Sequence, residues 1–395
     1  MKKNMVLIFS YIFLFLIFVF DFWKYYPLYL FGSDQIFTDW NYIFNYYNCL
    51  NKIDLSYKNC KEILNFKFVY PSIWFDIVNY IYSYFNYLII FFIIFYVFLS
   101  YLILKKNNKI YYLLFLFSPV SILLIQRGNN EILIFILVYL FSYFFYFKKY
   151  NLLSLVSISI ATILKIYPIG LFLLLFFDNI KKINYIKIIS FIILTIIIYY
   201  FLDEFLEINK HHNPGKITLV YGSETIFHIF NLLFDDIKIN TFLLSITSLI
   251  VIIIVSLCTS NKKYNYLNKN NEISFLIGSI LIVSSFFLNS SFEYRFIYIL
   301  FSLPYLIDLS NSKQIKFGKY LIILIYLVLW SELFIFYAKE FTNFNYIRSE
   351  YGNILNINTI FVGLLVLLKN IIFWIINFML IIISKNIIFT RLRYA

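Results

Sequence analysis

Charge is the scarcest commodity in this chain: 13% of its 395 residues are Asp, Glu, Lys or Arg, against about 25% in an ordinary soluble domain. With 62% hydrophobic residues, a water-exposed globule and a disordered chain are both excluded, because so much apolar surface must be covered by lipid or protein. Cysteine numbers only three, which excludes a disulfide-dense secreted scaffold. Glycine is rare and no Gly/Ser-rich stretch or repeat of 20 to 50 residues is present, so flexible linkers and solenoids are excluded too. The three histidines are His211, His212 and His228. Adjacent histidines point apart, and Asp203, Glu204, Glu207, Asp235 and Asp236 nearby fall at no standard ligand spacing, so no metal is expected. There is no Walker loop, dinucleotide fingerprint or Gly-x-Ser-x-Gly elbow. Nucleotide-driven transport and serine hydrolysis are therefore disfavoured, and no cofactor is expected. Acids are also scarce, at 20 against 33 bases for a net charge of +13. The bases lie in short clusters between apolar runs, which marks membrane topology and not a nucleic-acid partner.

What is abundant is apolar run length. A helix needs roughly 20 apolar residues to cross a hydrocarbon core, fewer where neighbours shield its ends. The fold class expected is all-α, a polytopic integral membrane protein of about ten full spans in a single domain, 1–395. The spans read as Met5 to Trp23, Asn86 to Leu104, Ile110 to Ile125, Glu131 to Phe147, Ile188 to Leu202, Ile239 to Leu257, Ile273 to Leu288, Phe296 to Asp308, Tyr320 to Tyr337 and Thr359 to Ile383. Between Leu152 and Phe177 the run is interrupted by Lys165-Ile166-Tyr167-Pro168, which predicts two short helices instead of one.

Orientation follows from the basic loops. With both termini cytoplasmic, one side collects Lys2, Lys3, Lys105, Lys106, Lys109, Lys148, Lys149, Lys181, Lys182, Lys187, Lys262, Lys263, Lys269, Lys313, Lys316, Lys319, Lys385, Arg391 and Arg393, with only Asp178, Glu272 and Asp308 as acids. The first run has a basic start but bulky residues where a signal peptidase would cut, so it is expected to remain as an anchor. Long loops at 24–85, 203–238 and 338–358 face the exoplasmic side, which is where chemistry is expected. Cys49 and Cys60 share the first of these loops and form either a bridge or two free thiols. Cys258 reads as structural at an inner helix end.

Four polar constellations stand on that exoplasmic side. Asp39, in Phe37-Thr38-Asp39-Trp40, reads as a carboxylate able to accept a proton from a substrate hydroxyl, or as the N-cap of a helix starting at Trp40. A surface-lying amphipathic helix is expected from there to Cys49. Gln126-Arg127-Gly128-Asn129-Asn130-Glu131 packs a cation, two amides and an acid into a tight connection; Arg127 suits a phosphate, and Asn129, Asn130 or Glu131 suit sugar hydroxyls. The alternative is a plain turn whose polar side chains reach for water. Lys165, with Tyr167 and Pro168, marks an interrupted helix pair that exposes backbone groups to an anionic ligand. Glu293 and Arg295, two residues apart, read either as part of a shared phosphate site or as a simple ion pair.

In that order, Asp39, Tyr70-Pro71, the Arg127 to Glu131 turn and Ala161-Thr162-Ile163-Leu164-Lys165-Ile166-Tyr167-Pro168 resemble the polytopic GT-C glycosyltransferases. The likeness is to bacterial polyprenyl-phosphate-mannose-dependent mannosyltransferases and their relatives, over roughly the first 180 residues, with Glu293-Tyr294-Arg295 a fainter match. The resemblance implies that Asp39 is the general base, with Asp34 as its alternate. It also implies that Lys165, Arg127 and Arg295 bind the phosphate of a polyprenyl-phosphate sugar donor, and that the acceptor is a lipid or glycan. Such an enzyme uses membrane lipids as its surroundings, needs no metal, and would sit in a bacterial inner membrane. Two readings compete: a flippase for lipid-linked saccharides, and a polysaccharide polymerase. Polar residues spread along several spans would favour the flippase, whereas mid-span positions here read as Ile, Leu, Phe and Tyr.

Overall fold

The computed structural model describes residues 3–19, 37–52, 60, 70–81, 84–104, 109–148, 150–177, 185–211, 220–227, 240–259, 269–288, 291–312, 317–341 and 357–394. In chain order the helices are α1 (Lys3–Val19), α2 (Thr38–Lys52), α3 (Ile73–Ile81), α4 (Phe85–Leu104), α5 (Lys109–Leu116), α6 (Pro119–Arg127), α7 (Glu131–Ser142), α8 (Asn151–Leu164), α9 (Phe172–Phe177), α10 (Tyr185–His211), α11 (Thr241–Cys258), α12 (Lys269–Leu288), α13 (Ile299–Asn311), α14 (Gly318–Phe341) and α15 (Ile357–Tyr394). Two 3-10 segments, Tyr167–Leu171 and Glu293–Tyr298, lead into α9 and α13, and one turn of π-helix, Tyr143–Lys148, ends α7. A two-residue antiparallel ladder pairs β1 (Val220–Tyr221) with β2 (Ser291–Phe292).

The described residues adopt the all-α class expected from the sequence, that short ladder apart. Among the described residues, five helices are long and apolar enough to cross a membrane: Tyr87–Leu104, Tyr185–Phe205, Asn270–Leu288, Gly318–Ala338 and Phe361–Thr390. A sixth span results if the pair Lys109–Leu116 and Pro119–Arg127 is counted as one. The other expected spans coincide with apolar helices of 10–17 residues or, for Phe296 to Asp308, with the 3-10 segment leading into α13. These helices mark the chain as a membrane protein. The surface agrees: Ile188, Phe191, Ile192 and Tyr199 on α10, and Leu243, Ile250, Val251 and Ile254 on α11, are exposed large apolar side chains that water would penalise.

Where structure departs from the uniform spans of the sequence reading, local chemistry explains it. Ile110 to Ile125 was expected as one helix and is bent by 52°. Pro119 lacks a backbone N–H and sits at the first position of α6, where none is needed, while the Ser118 hydroxyl accepts from Ser121 N at 3.3 Å as the N-cap. The break at Lys165 falls where expected: α8 ends at Leu164, Lys165 is extended, and Pro168 opens a 3-10 turn.

Packing is tightest at α12 against α13. A Cβ on Gly278 would stand 2.4 Å from Ser302 Oγ and 2.9 Å from the Tyr298 carbonyl. The absence of a side chain there lets the two helices approach closely and fixes the level of Tyr298. Almost every residue of α13 is buried. Beside this core, α7 and α8 run as an antiparallel hairpin that brings Lys165 level with Glu131, as their ion pair requires.

Candidate functional site

Every site residue read from the sequence, apart from Asp34, falls within the described residues; Asp34 lies outside them. The structure brings most of the rest together at one end of the helices. The organising piece is the connection between α6 and α7. Gly128 caps α6 in the left-handed region, at φ +53°, with its N–H turned to Ile125 O and Leu124 O. A Cβ there would stand 2.8 Å from the Phe37 ring. Phe37 also has positive φ, at 62°, and its N–H donates to Gln126 O at 2.8 Å. Strain accepted by a non-glycine residue marks a junction that its surroundings hold in place.

Asp39 lies in the first turn of α2, 4% exposed. It is not the N-cap of a helix starting at Trp40, since the helix begins at Thr38. Its carboxylate meets the α6–α7 connection: Arg127 Nε donates to Oδ1 at 3.1 Å and Oδ2 at 3.0 Å, Arg127 Nη2 donates to Oδ1, and Asn129 Nδ2 donates to Oδ2. Asn129 Oδ1 in turn accepts from Glu131 N at 2.8 Å, which locks the amide between the acid and the first turn of α7. Asn130 is different. It is 1% exposed, yet neither side-chain polar atom has a hydrogen-bond partner among the described residues.

Glu131, fully buried, is the hub of a second network. Its Oε1 accepts from Lys165 Nζ at 2.6 Å and from Arg295 Nε at 3.2 Å. Its Oε2 accepts from Tyr298 OH at 2.7 Å and from Tyr167 OH, and those two phenols are 2.6 Å apart. One carboxylate, on α7, is thus shared by two cations, one from the α8 break and one from the segment before α13. Arg295 also lies over the Tyr167 ring at 5.1 Å, and Lys165 over the Tyr70 ring at 5.8 Å. Burial lowers the Lys165 ammonium from its ordinary value while Glu131 opposes that shift. Burial and the nearby Asp39 charge push the Tyr70 phenol well up.

Glu293 goes elsewhere. Arg295 pairs with Glu131, and Glu293 turns to Lys369 on α15. Lys369 also holds Glu332 of α14 at 2.8 Å. All three are buried, at 1%, 2% and 6% exposed for Glu293, Lys369 and Glu332. Sequence reading missed Glu332 and Lys369. The signal was available, because each is the sole Asp, Glu, Lys or Arg within its expected span, and the two have opposite sign.

Around the site, Ser72 N donates to Glu204 Oε1 at 2.7 Å, and β1 pairs with β2 just before Glu293. Cys49 and Cys60 form a disulfide with Cα atoms 5.8 Å apart, settling the choice between bridge and free thiols. Cys258 ends α11 and is exposed, so it does not serve as a packed structural cysteine. Of the histidines, only His211 falls among the described residues, at the end of α10; His212, His228, Asp235 and Asp236 lie outside them.

No family model, no curated protein and no solved structure matches this chain.

Proposed function

We propose that this protein is a membrane glycosyltransferase of GT-C type, moving a hexose such as mannose from a polyprenyl-phosphate donor to a lipid or glycan acceptor at the exoplasmic face. The reading includes the topology of about ten spans with both termini cytoplasmic, in a bacterial inner membrane. The observation that carries it is the convergence of Asp39, the Arg127 to Glu131 connection, Lys165 and Arg295, from four separated stretches of chain, at one end of a helical membrane protein.

A lipid-linked donor leaves as a phosphate, whose negative charge grows as the glycosidic bond breaks. Cations held in place before the reaction favour that state most, because nothing has to reorganise. Lys165 and Arg295, both anchored on Glu131, are the groups assigned to the leaving phosphate. Arg127 is the positioning group: it holds both oxygens of Asp39, and Asn129 fixes the same carboxylate from the other side. Asp39 then takes the proton of the acceptor hydroxyl once one of these donors yields. Asn130, buried with its amide unpartnered among the described residues, is assigned to a sugar hydroxyl. Energy comes from the donor bond, with no nucleotide.

The test is transfer of radiolabelled sugar from a panel of polyprenyl-phosphate sugars to membrane lipids or glycans, in membranes carrying equal amounts of wild type and Asp39→Asn. Donor-dependent product that disappears in the variant supports the reading. Persistent product moves the base to another group, Asp34 first.

One observation favours a second reading, a flippase for lipid-linked saccharides. Lys369, Asn370, Asn377 and Lys385 are buried along α15, and Glu332 faces Lys369 from α14. Buried polar groups spaced along a membrane helix suit a headgroup route. Headgroup translocation in vesicles without any transfer product would decide for the flippase.

A further inference from the structure

We propose that Glu293, Glu332 and Lys369 form a proton-binding site that holds one exchangeable proton at neutral pH. Two carboxylates bracket one ammonium: Lys369 Nζ donates to Glu332 Oε1 at 2.8 Å and to Glu293 Oε1. The three side chains come from three elements, the segment before α13, α14 and α15. With all three ionised, the cluster carries a net negative charge where each side chain is at most 7% exposed. An uncompensated buried charge costs several kcal/mol, and a carboxyl group escapes that cost by taking up a proton. The remaining oxygen, Glu293 Oε2, is buried and has no hydrogen-bond partner among the described residues. No donor stabilises a negative charge on this oxygen, so it is the atom that gains most from taking up a proton.

Burial and the facing Glu332 carboxylate push Glu293 well above the ordinary carboxylate range, and Lys369 opposes them. The charged groups facing Glu293 are Glu332 and Lys369, and Arg295 lies two residues along its own segment. Loss of the proton therefore places a negative charge two residues from Arg295, one of the two cations held on Glu131. This site stands apart from the transferase reading and does not depend on it.

Infrared spectroscopy of the purified full chain in lipid nanodiscs, in light and heavy water, reads protonated carboxyl groups by their carbonyl stretch. The expected result at neutral pH is one buried protonated carboxyl in wild type, lost in both Glu293→Gln and Glu332→Gln, since either leaves a neutral Glu–Lys pair. On raising the pH the wild-type band vanishes. Thermal unfolding supplies a second readout. A group whose folded-state pKa is raised stabilises the fold at low pH and loses that contribution as pH rises through the folded value. The wild-type Tm therefore falls with rising pH above the ordinary carboxylate range, and Glu293→Gln flattens that fall. A wild type with no protonated carboxyl band at neutral pH, or a band unchanged in both variants, overturns the proposal.

Discussion

Two of the buried ionic clusters are mirror images. Around Glu131 one carboxylate serves two cations; around Lys369 one ammonium serves two carboxylates. The 3-10 segment Glu293–Tyr298 joins them, since it gives Glu293 to one and Arg295 to the other. Their chemistry is not symmetrical, however. A cluster with surplus carboxylate relieves itself by binding a proton, whereas the Glu131 cluster, with two cations on one carboxylate, has its surplus on the cationic side. The Glu131 cluster is therefore the one that depends on its central residue, and the one suited to an anion.

Glu131→Leu should be the most damaging change. It strands Lys165 and Arg295 in a buried setting, and losing one partner of a buried pair costs about 3–5 kcal/mol. Thermal unfolding in detergent should show a large fall in Tm or no folded protein at all; a fall equal to that of the mirror-image variant would erase the contrast between the clusters. That mirror variant is Lys369→Met. Glu293, held well above the ordinary carboxylate range, escapes by taking up a proton, so the expected loss is about 1–3 kcal/mol, the cost of unsatisfied buried polar groups. The loss should grow as the pH is raised, and a loss that shrinks instead would break the comparison.

Gly128→Ala sharpens it from the backbone side. The left-handed conformation costs an L-residue about 1–2 kcal/mol, and the added Cβ meets Ile89 and Phe37. The connection carrying Arg127, Asn129 and Glu131 should loosen, seen as faster amide exchange there with the Lys369 cluster unaffected. Tyr298→Phe is the mildest. Glu131 keeps its bonds from Lys165, Arg295 and Tyr167, so a loss of about 1 kcal/mol is expected, measured by the same thermal unfolding.

The difference between the clusters also explains what the sequence disclosed. Arg127, Asn129, Glu131 and Lys165 were legible because they interrupt apolar runs, and an interruption is visible at a glance. Glu332 and Lys369 sit singly inside strong runs, where hydropathy averages them away. The helix breaks at Pro119 and Lys165 differ likewise. The Lys-Ile-Tyr-Pro motif carries a charge as well as a proline, whereas Ser118-Pro119 sits in an unbroken apolar stretch and its bend was not read. Pairing was the least legible feature. Glu293 and Arg295 are two residues apart, yet they serve different partners, because a 3-10 turn points neighbouring side chains in different directions. Which acid meets which base across helices is a property of packing, and no local pattern encodes it.

The central claim, that the cations gathered on Glu131 hold a phosphate, is tested most directly by binding. Affinity for polyprenyl phosphate should be measured in nanodiscs for wild type and Lys165→Met, a change that leaves Glu131 paired with Arg295, with folding of both checked by Tm. The expected result is at least a roughly tenfold weaker affinity, about 1.4 kcal/mol, for removing one charge-assisted contact. An affinity equal to wild type, with the variant folded, would contradict a phosphate site at this cluster.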